Sequence, residues 1–297
     1  MSIDNKKGII IMKYAFVTGA AGGLAGACVE EMMKRGGWTV FAADMNEVGL
    51  NALKEKCGDG IIPVVLDITS DESCEKAVEL IKETTDRLDV VINAAGIHTM
   101  GSLVEGNPLK AIGKMIDINV LGMIRVNKYL FDFINAAKGR IINFSSECGW
   151  EKPQPFNTHY AITKYAVEAY TMGLRRELNF IDIPVIKIQP GSFKTGMHGQ
   201  ANAGYLKLLE TTTHYKEVLT VLSPLMQVAL AHPNDKKYLV DTVMHAIYDK
   251  SPKTNYRCKN TWYLKAINPI PDKIIDFGYK HVVSLGYKIM EKTGKIK

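Results

Sequence analysis

Tyr160 and Lys164 stand four residues apart at the start of a strongly helical stretch, inside NFSSECGWEKPQPFNTHYAITK (143–164). Residues i and i+4 share one helix face about a turn apart, so the ammonium sits near the phenol. A free tyrosine, with a pKa near ~10, is a poor proton shuttle at neutral pH, and lowering it by two to three units takes about 3–4 kcal/mol. One cation ~4–5 Å away, at an effective dielectric near 20, supplies about that much. The pair is an acid/base device for neutral pH. YxxxK alone is a frequent chance match, and its company gives it weight. GRIINFSS (139–146) is a β-branched run ending in two hydroxyls, a strand that exposes Ser146 at its C-terminal end, where open α/β sheets bind ligands. VTGAAGGLA (17–25) reads as strand, glycine turn and helix. A nucleotide turn, a strand-end serine and a helical Tyr–Lys pair in this order argue jointly for hydride transfer.

These groups need a frame that points them at one place. Residues 13–17 form a short buried strand, and Gly19 permits the tight turn after it. Gly23 lets the backbone approach a pyrophosphate, toward which a helix from about Leu24 directs its amides and dipole. WTVFAAD (38–44) is the second strand, ending in Asp44 about 20 residues after the turn. A carboxylate there accepts bonds from the adenosine ribose hydroxyls and repels a 2′-phosphate. No Lys or Arg lies in 44–49 or in the glycine loop, so the reading is NAD rather than NADP. A helix through 47–57 leads to IIPVVLD (61–67), which sets Asp67 near an adenine amino group. TSDES then opens another helix. LDVVINAAG (88–96) is the fourth strand, closed by a small-residue turn that allows close cofactor approach. The βα rhythm implies an α/β fold: a single Rossmann-like, doubly wound parallel sheet with a helical substrate lid and a C-terminal extension. Residues 108–137 read as one long helical segment carrying Asn119 in an apolar run, either satisfying backbone carbonyls at a kink or anchoring a water beside the lysine.

Composition narrows the class. The chain has 297 residues, 46% hydrophobic and 23% charged, ordinary for a globular α/β protein. Five scattered cysteines form no CxxC pair, which points to reduced thiols in a cytoplasmic setting. The seven histidines show no HxxxH pairing, so no metal is expected. No segment reaches the ~18 apolar residues of a spanning helix. Residues 1–12 read as an N-terminal extension, with Met12 a second candidate start, and 13–297 as one domain. Residues 251–297 hold ten Lys/Arg against three Asp/Glu, a balance of +7 in a chain of net +6. The basic character belongs to that tail alone, which argues against nucleic-acid binding.

With these residues in hand, the chain resembles the short-chain dehydrogenase/reductase family, and within it the retinol and 17β-hydroxysteroid dehydrogenase branch. The matching pieces are TGAAGGLA (18–25), Asp44, LDI (66–68), NAAG (93–96, with Asn93 and Gly96), IN (118–119), NFSSECG (143–149), YAITK (160–164) and QPGSFKT (189–195). The resemblance implies that Ser146 orients the substrate oxygen, Tyr160 exchanges its proton, and Lys164 holds the nicotinamide ribose while lowering the tyrosine pKa. Asn119 would support a relay water, Thr195 would bond the nicotinamide carboxamide, and the backbone at Pro190–Gly191 would line the ring. A homo-oligomer, dimer or tetramer, is implied too. Three positions depart from the family pattern. Ala25 replaces a third glycine, Ala94 stands where a second asparagine is usual, and the Ser146–Tyr160 spacing of 14 is one longer. The extra residue is expected in WEKPQPF (150–156), bordering the substrate.

The stretch 196–235, rich in Leu, Val and Met, is where the resemblance places a substrate lid, and it suggests a small apolar alcohol or ketone such as a steroid, retinoid or other lipid. The same residues could simply pack two helices onto the domain. Met100, Trp150, Phe156 and His159 are candidate pocket walls. A basic helix at about 272–292 either docks on the sheet with a solvated basic face or seeks a membrane surface peripherally. The functional expectation is NAD-dependent interconversion of a hydrophobic alcohol and its carbonyl. The alternative is a non-catalytic dinucleotide-binding sensor or interaction module.

Overall fold

Alternation within each strand explains the architecture. The computed structural model of the chain describes residues 12–231 and 234–293, with the backbone alone at 198 and 225–231. The expected extension, apart from Met12, and the last four residues of the basic tail lie outside the described residues. The chain runs through β1 (Lys13–Thr18), α1 (Ala25–Arg35), β2 (Trp38–Asp44), α2 (Glu47–Cys57), β3 (Ile61–Val65), α3 (Asp71–Thr84) and β4 (Val90–Asn93). It continues through α4 (Pro108–Ile116), α5 (Met123–Ala137), β5 (Arg140–Phe144), α6 (Thr158–Asn179) and β6 (Val185–Pro190). Then come α7 (Gly196–Thr211), α8 (Lys216–Ala231), α9 (Lys236–Tyr248), β7 (Asn255–Cys258), α10 (Trp262–Ile267) and α11 (Asp272–Lys292).

The strands pair in parallel in the order β3-β2-β1-β4-β5-β6-β7, the doubly wound sheet expected. Side chains of a strand alternate between faces. Ala15, Val17, Val40, Ala42 and Ile142 therefore join one core with Cys28, Val29 and Met32 of α1 and Leu239 and Val243 of α9. Their neighbours Phe16, Phe41, Val91 and Ile141 join the opposite core with Ile81 of α3 and Val126, Leu130 and Ile134 of α5. Both faces are covered, as a parallel sheet requires. Pro63, which cannot donate to a ladder, sits in the edge strand β3.

Two elements differ from the sequence expectation. The fourth strand stops at Asn93, because Thr18 Oγ1 accepts the Ala94 and Ala95 amides at 3.1 and 3.2 Å and turns them out of the ladder. The 108–137 segment is two α-helices spliced by a wider π turn, Asp117–Gly122, with Asn119 at its centre. Such turns recur at functional positions.

Candidate active site

Strand order reverses between β1 and β4, and ligands bind outside the carboxyl ends of strands at such a point. A continuous cleft of about 1700 Å³ opens there. At one end it is lined by Gly19, Gly23, Leu24, Asp44 and Asp67, in the middle by Gly96, Ser146, Tyr160 and Lys164, and beyond them by Pro190, Gly191 and Thr195. These residues come from seven separate segments of the sequence, and the fold brings all of them to one cleft.

The nucleotide end is a cradle shaped by missing side chains. Gly19 has φ +72°, and a Cβ on it would lie 2.9 Å from the Ala95 backbone, so only glycine fits. The Asp44 carboxylate accepts the Ala21 amide at 3.1 Å and the Asn46 amide at 3.0 Å. It thus ties strand end to glycine turn, and each oxygen keeps a lone pair toward the cleft. Asp67 accepts from Thr69 N and Oγ1, bracing its own turn, and borders the same cleft. Gly191 lies so close to β7 that a Cβ would meet Lys259 O at 2.1 Å. This set of small residues, amides and two carboxylates fits a dinucleotide.

Asn93 is a correction. Its side chain turns inward and donates to Asn127 Oδ1 (2.8 Å) and Asn143 Oδ1 (2.9 Å), a buried amide chain extended by Tyr170 and Thr171. It braces β4 and β5, while Ala94, Ala95 and Gly96 meet the cleft. The reason is period: a strand-end residue facing the α5 and α6 side cannot also face the crevice.

In the middle of the cleft, Ser146 Oγ accepts the Cys148 amide at 3.2 Å and stands beside the Tyr160 phenol. Lys164 Nζ lies 5.5 Å from the Tyr160 ring centroid and donates to Phe144 O at 2.9 Å. Burial dominates the titration of both. It pushes the phenol above its ordinary value, with the Cys148 and Glu147 side chains adding to the rise and Ser146 opposing it. It pushes the Lys164 ammonium down to about 8. The direction at Tyr160 is opposite to the lowering expected from the i, i+4 cation, because the desolvation of a phenolate outweighs one neighbour's attraction.

Asn119 is fully buried. Its side chain accepts Ile97 N (2.8 Å) and donates to Ile97 O (2.9 Å) and Thr163 Oγ1 (3.1 Å), clamping the π turn to the exit of β4 and to the turn of α6 before Lys164. The amide is engaged across the fold rather than by its own helix.

The far end of the cleft is apolar. Met100 and Phe156 line it, together with Met197, Ala201, Tyr205 and Leu222 of α7 and α8 and Trp262, Ile267, Ile274 and Val282 of the C-terminal segment. Trp150 and His159 do not. The Trp150 ring lies under the Arg257 guanidinium at 3.6 Å, and His159 is buried with Nε2 on Ser102 O at 3.0 Å. The C-terminal helix is a second correction. α11 packs along α8 and rims the cleft, none of its residues buried, instead of docking on the sheet. Ile274, Phe277, Val282, Leu285 and Ile289 are each more than half exposed.

Sequence reasoning missed His98, whose ring stacks on Tyr160, and Glu147, whose carboxylate accepts Thr261 N at 2.6 Å and Thr261 Oγ1 at 3.0 Å. Neither belongs to a spacing motif, though both adjoin one: His98 follows NAAG by one residue and Glu147 follows Ser146.

The model of the short chain dehydrogenase family matches residues 13–206. The chain belongs to the short-chain dehydrogenase family. Among its relatives, Retinol dehydrogenase 16 of Mus musculus is 31% identical, over 82% of this chain and 80% of its own length. The human 17-beta-hydroxysteroid dehydrogenase type 6 is also 31% identical, with the same shares covered. A 3-ketoacyl-(acyl-carrier-protein) reductase from Brucella melitensis, solved with NADH, shares the fold at 20% identity and TM-score 0.65, covering 84% of this chain and 97% of that one. This short-chain dehydrogenase is thus an oxidoreductase of the retinol and hydroxysteroid dehydrogenase branch, a family that works with nicotinamide dinucleotides. Among its described residues no helix is long and apolar enough to cross a membrane.

Proposed function

We propose that this short-chain dehydrogenase interconverts a hydrophobic alcohol (a hydroxysteroid, retinol or a similar lipid) and its carbonyl, with NAD as the preferred cofactor and Tyr160 as acid/base. The observation that carries the reading is one cleft with three successive linings: the Gly19–Gly23–Asp44 cradle, the Ser146–Tyr160–Lys164 wall, and an apolar end under α7, α8 and α11.

When bound, a nicotinamide ring supplies the hydride acceptor or donor. The chain supplies the rest. Gly19, Gly23, Leu24, Asp44 and Asp67 hold the adenosine and pyrophosphate half, and Gly96, Pro190, Gly191 and Thr195 hold the nicotinamide half. Ser146 donates to the substrate oxygen and fixes it beside the phenol. Tyr160 passes a proton to that oxygen in reduction and takes it in oxidation. A buried phenol with a raised pKa stands protonated at neutral pH, ready to donate. Lys164, an ammonium until about pH 8, orients the ribose hydroxyls and stabilises the phenolate when it forms. Asn119 keeps the π turn in register with Lys164. A pure binding module has no use for this proton-handling set.

The apolar stripe of α11, with Lys273, Lys280, Lys288 and Lys292 beside it, supports peripheral contact with an anionic membrane, and the family's habit supports a dimer or tetramer. The experiment for the central reading is a kcat/KM survey with NAD and NADP against hydroxysteroids, retinol and short hydroxy acids. Turnover restricted to the short hydroxy acids would refute the apolar-substrate reading.

A further inference from the structure

A space left open by Gly23 is filled by an ammonium that comes from the other end of the chain. A Cβ built on Gly23 would lie 3.0 Å from Lys236 Nζ and 3.5 Å from its Cε. Lys236 is the first residue of α9. Its backbone is held on three sides. Asn234 donates to Ser192 O through both its backbone amide and its Nδ2, each at 2.9 Å, and pairs with Phe193 in a short parallel bridge. Asp235 caps the helix by accepting the Lys237 amide at 2.8 Å. Leu239 and Val243, fully buried, seat α9 in the same core as Cys28 and Val29 of α1. The helix that follows the glycine turn and the helix that carries Lys236 are thereby locked together. The lysine side chain is half-buried and reaches across to the turn. Among the described residues it forms no salt bridge.

The glycine turn carries no cation of its own, and the nearest charge at the adenosine end, Asp44, is negative. A diphosphate crossing Gly23 meets amides and a helix dipole there but no full positive charge from the turn itself, and the lysine of the first half that lines the cleft, Lys114, stands on α4. We infer that Lys236 binds the diphosphate of the dinucleotide, a cofactor contact contributed from beyond the lid. The inference rests on the reading that this cleft holds a dinucleotide. It adds a specific residue, and a reason for the position of α9: the helix begins where its first side chain can reach the anion.

The test is a set of binding titrations, by calorimetry or by quenching of tryptophan fluorescence, on wild type, Lys236→Met and Lys236→Arg, with NADH, NADPH, ADP and adenosine as probes. A charge-assisted hydrogen bond to phosphate predicts that Lys236→Met weakens NADH and ADP alike by roughly tenfold to a hundredfold. Adenosine, which has no phosphate, should bind both proteins equally, and this also certifies that the variant is folded. The wild-type affinity for NADH should fall more steeply with salt than that of the variant. Lys236→Arg should stay within about threefold of wild type, since it keeps the charge. NADH affinity within twofold of wild type in Lys236→Met would overturn the inference. So would a loss confined to NADPH, which would place the ammonium on a 2′-phosphate, or an equal loss for adenosine, which would make the lysine structural. A wild-type protein that binds none of the four probes would instead refute the dinucleotide reading itself.

Discussion

The imidazole of His98 lies on the phenol of Tyr160, ring centroids 4.1 Å apart and planes 25° from parallel. His98 Nε2 is 2.7 Å from Asn157 Oδ1, and its backbone amide donates to Gln200 Oε1 at 3.2 Å. The phenol proposed as acid/base is thus held flat by a neighbour tied to both the loop before α6 and the first turns of α7. Stacked rings contribute about 0.5–1.5 kcal/mol beyond the area they bury. His98→Ala should therefore lower kcat/KM about two- to tenfold, and His98→Phe, which keeps the stack, should recover most of the loss. Equal defects in the two variants would show that the Asn157 bond matters and the stack does not.

Glu151 is almost fully buried, and neither of its carboxylate oxygens has a hydrogen-bond partner among the described residues. Desolvation, then the nearby Glu147 carboxylate, pushes its pKa up to about 8, with Lys265 and Arg257 opposing. A carboxyl raised in the folded state above its unfolded value favours folding at low pH. That contribution is lost as pH climbs from about 4.5 to about 8. Glu151→Gln should leave the Tm near its wild-type value at pH 5 and raise it at pH 9. The gain corresponds to an order of a few kcal/mol. Thermal melts at the two pH values decide it, and a Tm difference independent of pH would contradict the assignment.

The loop 150–156 ties down the C-terminal segment at the apolar end of the cleft. Lys152 N donates to Asn268 Oδ1 at 2.8 Å, its Nζ donates to Ile270 O at 2.8 Å and pairs with Asp272, and Gln154 accepts from Tyr279. These bonds fix the start of α11 over the apolar end of the cleft. Lys152→Ala should raise KM for an apolar alcohol several-fold while leaving the Kd for NADH unchanged. A change in cofactor affinity of the same size would mean that the loop serves the whole cleft.

Much of this was legible because glycine, β-branched and capping residues act locally. Asn46, Ser70 and Asn107 cap α2, α3 and α4 through side-chain oxygens, and the strand runs alternate as a two-faced sheet demands. The place of Tyr160, Lys164, Ser146 and Asp44 on one cleft was readable because each stands at a strand end or a helix start. What the sequence hid depends on contacts between distant segments. Asn93 belongs to the core because Asn127 and Asn143 arrive beside it. Trp150 and His159 leave the pocket because Arg257 and Ser102 claim them. His98 and Lys236 reach the site across 62 and 213 residues of chain, to Tyr160 and Gly23 respectively. The rise of the Tyr160 pKa was hidden for the same reason, since burial is a property of the assembled wall and not of a YxxxK spacing.

Asp44 should set the cofactor preference. A 2′-phosphate adds about −1.5 to −2 charges beside a carboxylate already anchored to Ala21 and Asn46. At ~4–5 Å and an effective dielectric near 20, the repulsion is roughly 5–8 kcal/mol before screening. Solvent and salt reduce it to a few kcal/mol, on the order of a hundredfold in affinity. Wild type should favour NAD over NADP by about that factor in kcat/KM. Asp44→Ala combined with Met45→Arg should narrow or invert the ratio. Equal wild-type values for the two cofactors would mean that the carboxylate serves only the glycine turn.

The most direct measurement is the initial rate of NADH formation from NAD and an apolar alcohol, retinol or a hydroxysteroid, by wild type and by Tyr160→Phe, with the Kd for NADH measured in parallel. The ring of the variant still packs against His98, but it has no proton to exchange with the developing alkoxide. The account predicts turnover by wild type, a loss of well over tenfold in Tyr160→Phe, and unchanged NADH binding. A Tyr160→Phe protein that keeps a tenth or more of the wild-type rate would contradict it.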